Sequence, residues 1–144
     1  MSFKPDIEKT LGFALHHSSY LFKTAMKNVF ASNGLNITPE EMILLFLIAD
    51  SGSEQGDLVK KSLKDKTNIA RLLSRMETKA LIKKVEHEEN GRQQIIHLRA
   101  KGKSLRAAAF PLIQKMAKDA MTGISAHDLD ITQKTLNRLS LNLK

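Results

Sequence analysis

Apolar residues in the first thirty positions recur at steps of three and four: Ile7, Leu11, Ala14, Leu21, Ala25 and Val29. Phe13, Leu15, Phe22 and Phe30 widen this stripe. The spacing predicts a long helix from Asp6 to about Ala31, with more apolar surface than one thin seam requires. Ser32-Asn33-Gly34-Leu35-Asn36 ends it, Gly34 being suited to a left-handed C-cap. Thr38-Pro39-Glu40-Glu41 reads as a helix start, with Thr38 at the N-cap, Pro39 at the first helical position and Glu41 closing a capping box. The helix it opens, Glu40 to about Asp50, is apolar on several faces from Met42 to Ile48 and so belongs in the core. Ser51-Gly52-Ser53 stops it.

A short helix from Glu54 to about Leu63 follows, and Asp65 is suited to N-cap the next. From Asn68 to Leu81, the positions Ile69, Leu72, Leu73, Met76 and Ala80 form one apolar stripe. Thr67, Asn68, Arg71, Ser74, Arg75 and Lys79 occupy the opposite face. Ile82–His87 and Gln93–Leu98 have the composition of strands, and Asn90-Gly91 between them predicts a hairpin. Gly102 to about Met121 predicts a helix, kinked near residues 107–110 by Pro111 and closed by Gly123. Ser125-Ala126-His127-Asp128 reads as a second capping box, opening a last helix striped by Leu129, Leu136, Leu139 and Leu143. Short helix, turn, amphipathic helix with a basic face, then hairpin is the order of a winged helix-turn-helix. The expected fold class is all-α with a small β-hairpin wing: a winged helix-turn-helix domain with N- and C-terminal dimerisation helices. Residues 1–37 hold the first of these, 38–100 the winged helix and 101–144 the last, as one intertwined domain.

Composition sharpens this picture through its charge. The chain has 144 residues and 16.1 kDa, the size of one domain, and its 42% hydrophobic content suffices for a core. Its net charge is +8, with a pI near 9.8. Nine of the 23 basic residues fall between Val59 and Lys84 against two acids, a surplus of +7 within 26 residues. So local an excess marks an anion-binding face more than a generally basic surface. The absence of cysteine excludes disulfides, thiolate zinc sites and thiol nucleophiles. MSFKPDIEKT has no apolar core of a signal peptide, and the longest apolar run, Met42–Ala49, is far short of the roughly 20 residues that span a bilayer. A cytoplasmic protein with no membrane partner is expected.

A helix that enters the major groove needs one apolar stripe to hold it on its domain and an outward face of donors for phosphates and base edges. Thr67, Asn68, Arg71 and Arg75 share that outward side. Asn pairs well with adenine and Arg with guanine, and both also bind phosphate. The candidate DNA-binding set is Lys64, Lys66, Thr67, Asn68, Arg71, Ser74 and Arg75, with Arg92 at the hairpin tip. Each residue taken singly is equally a solvated helix face; clustering and element order favour double-stranded DNA. His16 and His17 point about 100° apart on a helix, and no His/Asp/Glu set has metal spacing, so neither metal nor cofactor is expected. No nucleophile–base pair or Gly-rich phosphate loop points to an enzyme. His17 and Tyr20 either line a ligand crevice near Met42 and Phe46 or belong to the core or a dimer interface. The leucines of the last helix, with the long first helix, leave apolar surface of the kind that obligate interfaces cover.

The run Ile69-Ala70-Arg71-Leu72-Leu73-Ser74-Arg75-Met76-Glu77-Thr78-Lys79-Ala80-Leu81-Ile82 resembles the recognition helix of the MarR family of winged-helix transcriptional regulators. Asn90-Gly91-Arg92, then Ile95-Ile96-His97-Leu98-Arg99-Ala100-Lys101-Gly102, is similar to that family's wing and following helix start. The resemblance spans essentially the whole chain. Three positions depart from the family pattern: Asn90 stands where the family has Asp, Arg99 where it often has Thr, and Ala80 where it has Gly. The resemblance implies a homodimer joined by its terminal helices, a pseudo-palindromic operator, and release by a small anionic or aromatic effector. That effector would sit between the dimerisation helices and the winged helix, around His17, Tyr20, Met42, Phe46 and Pro111. The alternative reading is a winged-helix module whose basic face binds an acidic protein partner.

Overall fold

The computed structural model describes residues 3–62, 64–86, 89 and 93–144. A 3-10 turn, Ile7–Lys9, precedes the first helix α1, Leu11–Ser32. The apolar rhythm runs on through Ile7, but Thr10 is extended and its side chain accepts the Phe13 N–H, so the helix starts later than the spacing predicts. At the other end Gly34 has φ +67°, and the Leu35 N–H donates to Phe30 O at 2.9 Å, the Schellman closure expected of that glycine.

Helix α2, Pro39–Leu47, has the expected capping box, with both bonds between Thr38 and Glu41 at 3.2 Å. It stops short of Asp50: Ile48 is extended, and the Ala49 N–H donates to Ser53 Oγ at 2.9 Å across a turn in which Gly52 has φ +101°. Ser53–Glu54 is a strand, β1, that the sequence did not predict, being too short to show alternation. Helices α3, Gln55–Ser62, and α4, Lys66–Thr78, follow, then strands β2, Ile82–Glu86, and β3, Gln94–Leu98. The sheet is antiparallel in the order β1-β3-β2, with Ser53 opposite Ile96, and Ile82 opposite Leu98. The predicted hairpin is therefore present as a strand pair; its tip, Asn90-Gly91-Arg92, lies outside the described residues. Helix α5, Ala100–Ala120, runs unbroken through Pro111, and α6, Ala126–Asn142, is capped by Ser125, whose Oγ accepts the Asp128 N–H at 3.1 Å.

The core is built around α2, as its apolar run predicts. Met42, Leu44, Leu45 and Ile48 are buried there with Leu58 of α3, Ile69, Leu73 and Met76 of α4, Ile82 and Ile96 of the sheet, and Ala109 of α5. Helix α5 packs on α1 and on α2, and Arg106 ties the latter contact: its guanidinium donates to Leu45 O and Ile48 O, each at 3.3 Å, and to Asp50 Oδ1 at 2.7 Å. That guanidinium holds the exposed Asp50 carboxyl below its ordinary pKa. The last helix buries no residue at all. Among the described residues no helix is long and apolar enough to cross a membrane.

Candidate nucleic-acid interface

Helix α4 is a product of its two-sided sequence. Ile69, Leu72, Leu73 and Met76 are buried and fix the helix to α2, α3 and the sheet, and Asp65 starts it by accepting the Asn68 N–H at 2.8 Å. The outward side is ordered as well. The Asn68 side-chain amide donates to Asp65 Oδ2 at 2.7 Å, while its own Oδ1 accepts from Arg71 Nη2 at 2.9 Å. A cap, an amide and a guanidinium thus form one chain of hydrogen bonds along the first two turns. Thr67, Arg71 and Ser74 are exposed beside it, together with Lys66, and Asn68 and Lys64 are half-buried. Such an array offers donors in a fixed arrangement to base edges or phosphates.

Lys84 joins this surface from strand β2. Its Nζ donates to Ser74 Oγ at 3.1 Å, and with Lys60 of α3 and Lys66 it lines a cleft beside Gln93 and Gln94. Neither Lys60 nor Lys84 is among the site residues predicted from sequence. Both belong to the basic segment, but only the sheet register brings β2 alongside α4.

Arg75 and Lys79 behave differently from a solvated face. Glu41, the third residue of α2, is completely buried and is the only buried charged side chain among the described residues. Lys79 Nζ lies 2.8 Å from its Oε2 and also donates to Asn36 O at 3.3 Å; Arg75 Nη2 lies 3.4 Å from its Oε1. Arg75 remains 51% exposed. The expected outward position of Lys79 is thus corrected: it is half-buried and faces α2.

The four residues predicted for a ligand crevice are dispersed. Met42 is 1% exposed in the core. Phe46, partly exposed, packs against Phe110 of α5 with ring centroids 5.9 Å apart, and His17 lies edge-on to Phe13 on α1. Tyr20 lines a cleft of about 660 Å³ between α1 and the start of α2, whose wall includes Lys23, Lys27, Arg75 and Lys79 but none of the other three. In that cleft Lys23 pairs with Glu40. Burial pushes the Glu40 carboxyl up, but the hydrogen bonds from Lys23 and its own backbone, with the charges of Lys23 and Lys64, outweigh it and hold the pKa below the ordinary value. A second cleft of about 830 Å³ runs between α1, α5 and α6, and its walls are apolar: Leu21, Phe22, Met116, Ile124, Leu129 and Leu136.

A helix-turn-helix, a strand-paired wing and a basic outer face on α4 define a winged-helix protein of the nucleic-acid-binding kind. In comparison with known proteins, the MarR family profile matches residues 35–93, the whole of the helix-turn-helix and into the wing. That segment is similar to the MarR family of winged-helix transcriptional regulators. It is 24% identical over 105 residues to the transcriptional regulator HosA of Escherichia coli, covering 72% of this chain and 78% of that one. Its fold is that of Bordetella bronchiseptica BpsR, whose DNA binding is regulated by 6-hydroxynicotinic acid (TM-score 0.86, 14% identity, 96% of this chain and 98% of that one). It is also that of S. aureus MepR in complex with DNA (TM-score 0.84, 19% identity, 92% and 98%).

Proposed function

We propose that the protein is a homodimeric, sequence-specific regulator that binds a pseudo-palindromic operator in the cytoplasm and is released from it by a small aromatic or anionic effector. The observation that carries this reading is the Asp65–Asn68–Arg71 hydrogen-bonded array on the exposed face of α4, set within the +7 segment. Lys64, Lys66, Thr67, Ser74 and Arg92 serve phosphates, joined by Lys60 and Lys84, while Arg75 of the same set is tied to Glu41. Segments 1–37 and 101–144 form the dimer: the apolar cleft between α1, α5 and α6 is covered by the same helices of a second copy. A two-fold axis then sets two α4 helices one DNA turn, roughly 34 Å, apart. The regulation of BpsR by 6-hydroxynicotinic acid supports an effector of similar chemistry. The cationic cleft beside Tyr20 is a better seat for it than the buried Met42.

Selection of bound sequences from random duplex DNA tests the reading. A palindromic motif is expected, and binding to it should weaken steeply with salt as several phosphate contacts compete with counterions. An unenriched pool would overturn it in favour of an acidic protein partner for the basic face.

A further inference from the structure

The buried carboxylate of Glu41 has more to do than cap a helix. One oxygen, Oε2, accepts both the Thr38 N–H of the capping box, at 3.2 Å, and Lys79 Nζ, at 2.8 Å. The other, Oε1, is buried and has no hydrogen-bond partner among the described residues; Arg75 Nη2 lies 3.4 Å from it. Lys79 in turn holds the Asn36 carbonyl of the loop before α2. A single side chain therefore links three parts: the start of α2, the loop between α1 and α2, and the last turn of α4.

The two cations are not equivalent. Lys79 is largely enclosed and touches two acceptors at hydrogen-bond distance, Glu41 Oε2 and Asn36 O. Arg75 is half-exposed and lies 3.4 Å from an oxygen without a hydrogen bond, so its tie to Glu41 is the weaker of the two. Resting on the proposal that α4 reads DNA, we propose that Glu41 is a positioning residue for sequence recognition: through Lys79 it fixes the tilt of α4, and through Arg75 it withholds a cation from indiscriminate phosphate binding. The apolar stripe of α4 alone permits small rotations about its packed residues; an ionic anchor at the helix end removes them. Base-edge contacts are lost with displacements that phosphate contacts tolerate, so the anchor acts on the choice of sequence more than on affinity at large.

Glu41→Gln separates this role from capping. A glutamine at this position still accepts the Thr38 N–H, as in many capping boxes, and keeps the side-chain volume, but it carries no charge for Lys79 and Arg75. Wild type and E41Q are titrated on the selected operator and on a random duplex of equal length across a salt series. The expected result is a roughly tenfold fall in the ratio of operator to random affinity, with random-duplex binding unchanged or tighter. Its salt dependence should steepen by about one ion as Arg75 becomes available. If E41Q alone fails to fold, the double variant Glu41→Gln/Lys79→Gln leaves no unmatched charge and is read by the ratio alone. An unchanged ratio, or equal losses on both duplexes, overturns the proposal. A wild-type protein that does not distinguish the duplexes overturns the regulator reading itself, which is a separate result from the variant's.

Discussion

Ala80 closes the recognition helix with φ +62°, the only positive φ at a non-glycine among the described residues. The Leu81 N–H donates to Met76 O at 3.0 Å and the Ala80 N–H to Glu77 O at 2.9 Å, so the end of α4 is a Schellman turn with a side chain at its left-handed position. That conformation costs an alanine about 1–2 kcal/mol, whereas a glycine there would cost about 0.5–1 kcal/mol in unfolded-chain entropy. Ala80→Gly should therefore stabilise the protein by about 0.5–1 kcal/mol and raise Tm by about 2–4 °C, read by thermal unfolding; an unchanged or lower Tm would show that the strain is absent. The glycine that does match the family pattern, Gly102, has an equally local reason: a Cβ there would stand 2.2 Å from the Leu81 carbonyl oxygen, at the point where α5 starts against the end of α4. At the same scale, Arg71→Ala leaves every buried contact of α4 in place while removing the far end of the Asp65–Asn68–Arg71 array. It should weaken operator binding by about 1–3 kcal/mol without changing Tm, and equal titrations at matched salt would remove Arg71 from the interface.

Among the elements, α4 shows both how far its sequence could be read and where that reading stopped. The buried positions Ile69, Leu72, Leu73 and Met76, and the Asp65 cap, follow from spacing and residue type alone. The inward turn of Lys79 does not, because it depends on a carboxylate 38 residues earlier that spacing places in the first turn of another helix. Glu41 was legible as half of a capping box; that the same group is buried and paired across two helices is a tertiary fact. Strand β1 was hidden for a related reason, since two residues become a strand only by their partners Ile95 and Ile96. The tie between α1 and α2 through Lys23 and Glu40 gives a measurable pH effect. The Glu40 carboxyl titrates lower when folded than when unfolded, so its ionised form adds stability at neutral pH, and this is lost as pH falls through the depressed folded value. Glu40→Gln should lower stability by about 0.5 kcal/mol at pH 7. The deficit relative to wild type should shrink as pH is taken down through the carboxylate range, and a deficit that stays constant would show that charge is not its cause.

At the scale of the molecule, the expected fold class is the one observed, a winged helix between long terminal helices, with a third strand added to the hairpin. Its order of elements was legible because each begins and ends on strong local signals: Gly34, Thr38-Pro39, Asp65, Ser125. The proposed association of chains was legible only as surplus apolar surface, and a single chain leaves much of that surplus uncovered: Leu21 is 53% exposed and Leu141 60%, and no residue of α6 is fully buried. Leu136→Glu places a charge in the apolar cleft between α1, α5 and α6. It should convert the proposed dimer of 16.1 kDa chains to monomer in sedimentation at micromolar concentration, and an unchanged mass would locate the interface elsewhere.

The incompletely covered leucine row of α6 has a consequence for dose. A helix of 17 residues with no fully buried side chain gains little from its own chain, so in the proposed dimer its ordering and its pairing are coupled. Where chains are scarce relative to the dimer dissociation constant, the abundance of operator-competent protein then grows with the square of the number of chains synthesised. Occupancy of the operator rises over a narrower range of expression than a single-chain binder would give, and a modest change in synthesis or degradation moves it from nearly empty to nearly full. In the proposed dimer, mass action alone, before any effector is bound, gives a threshold.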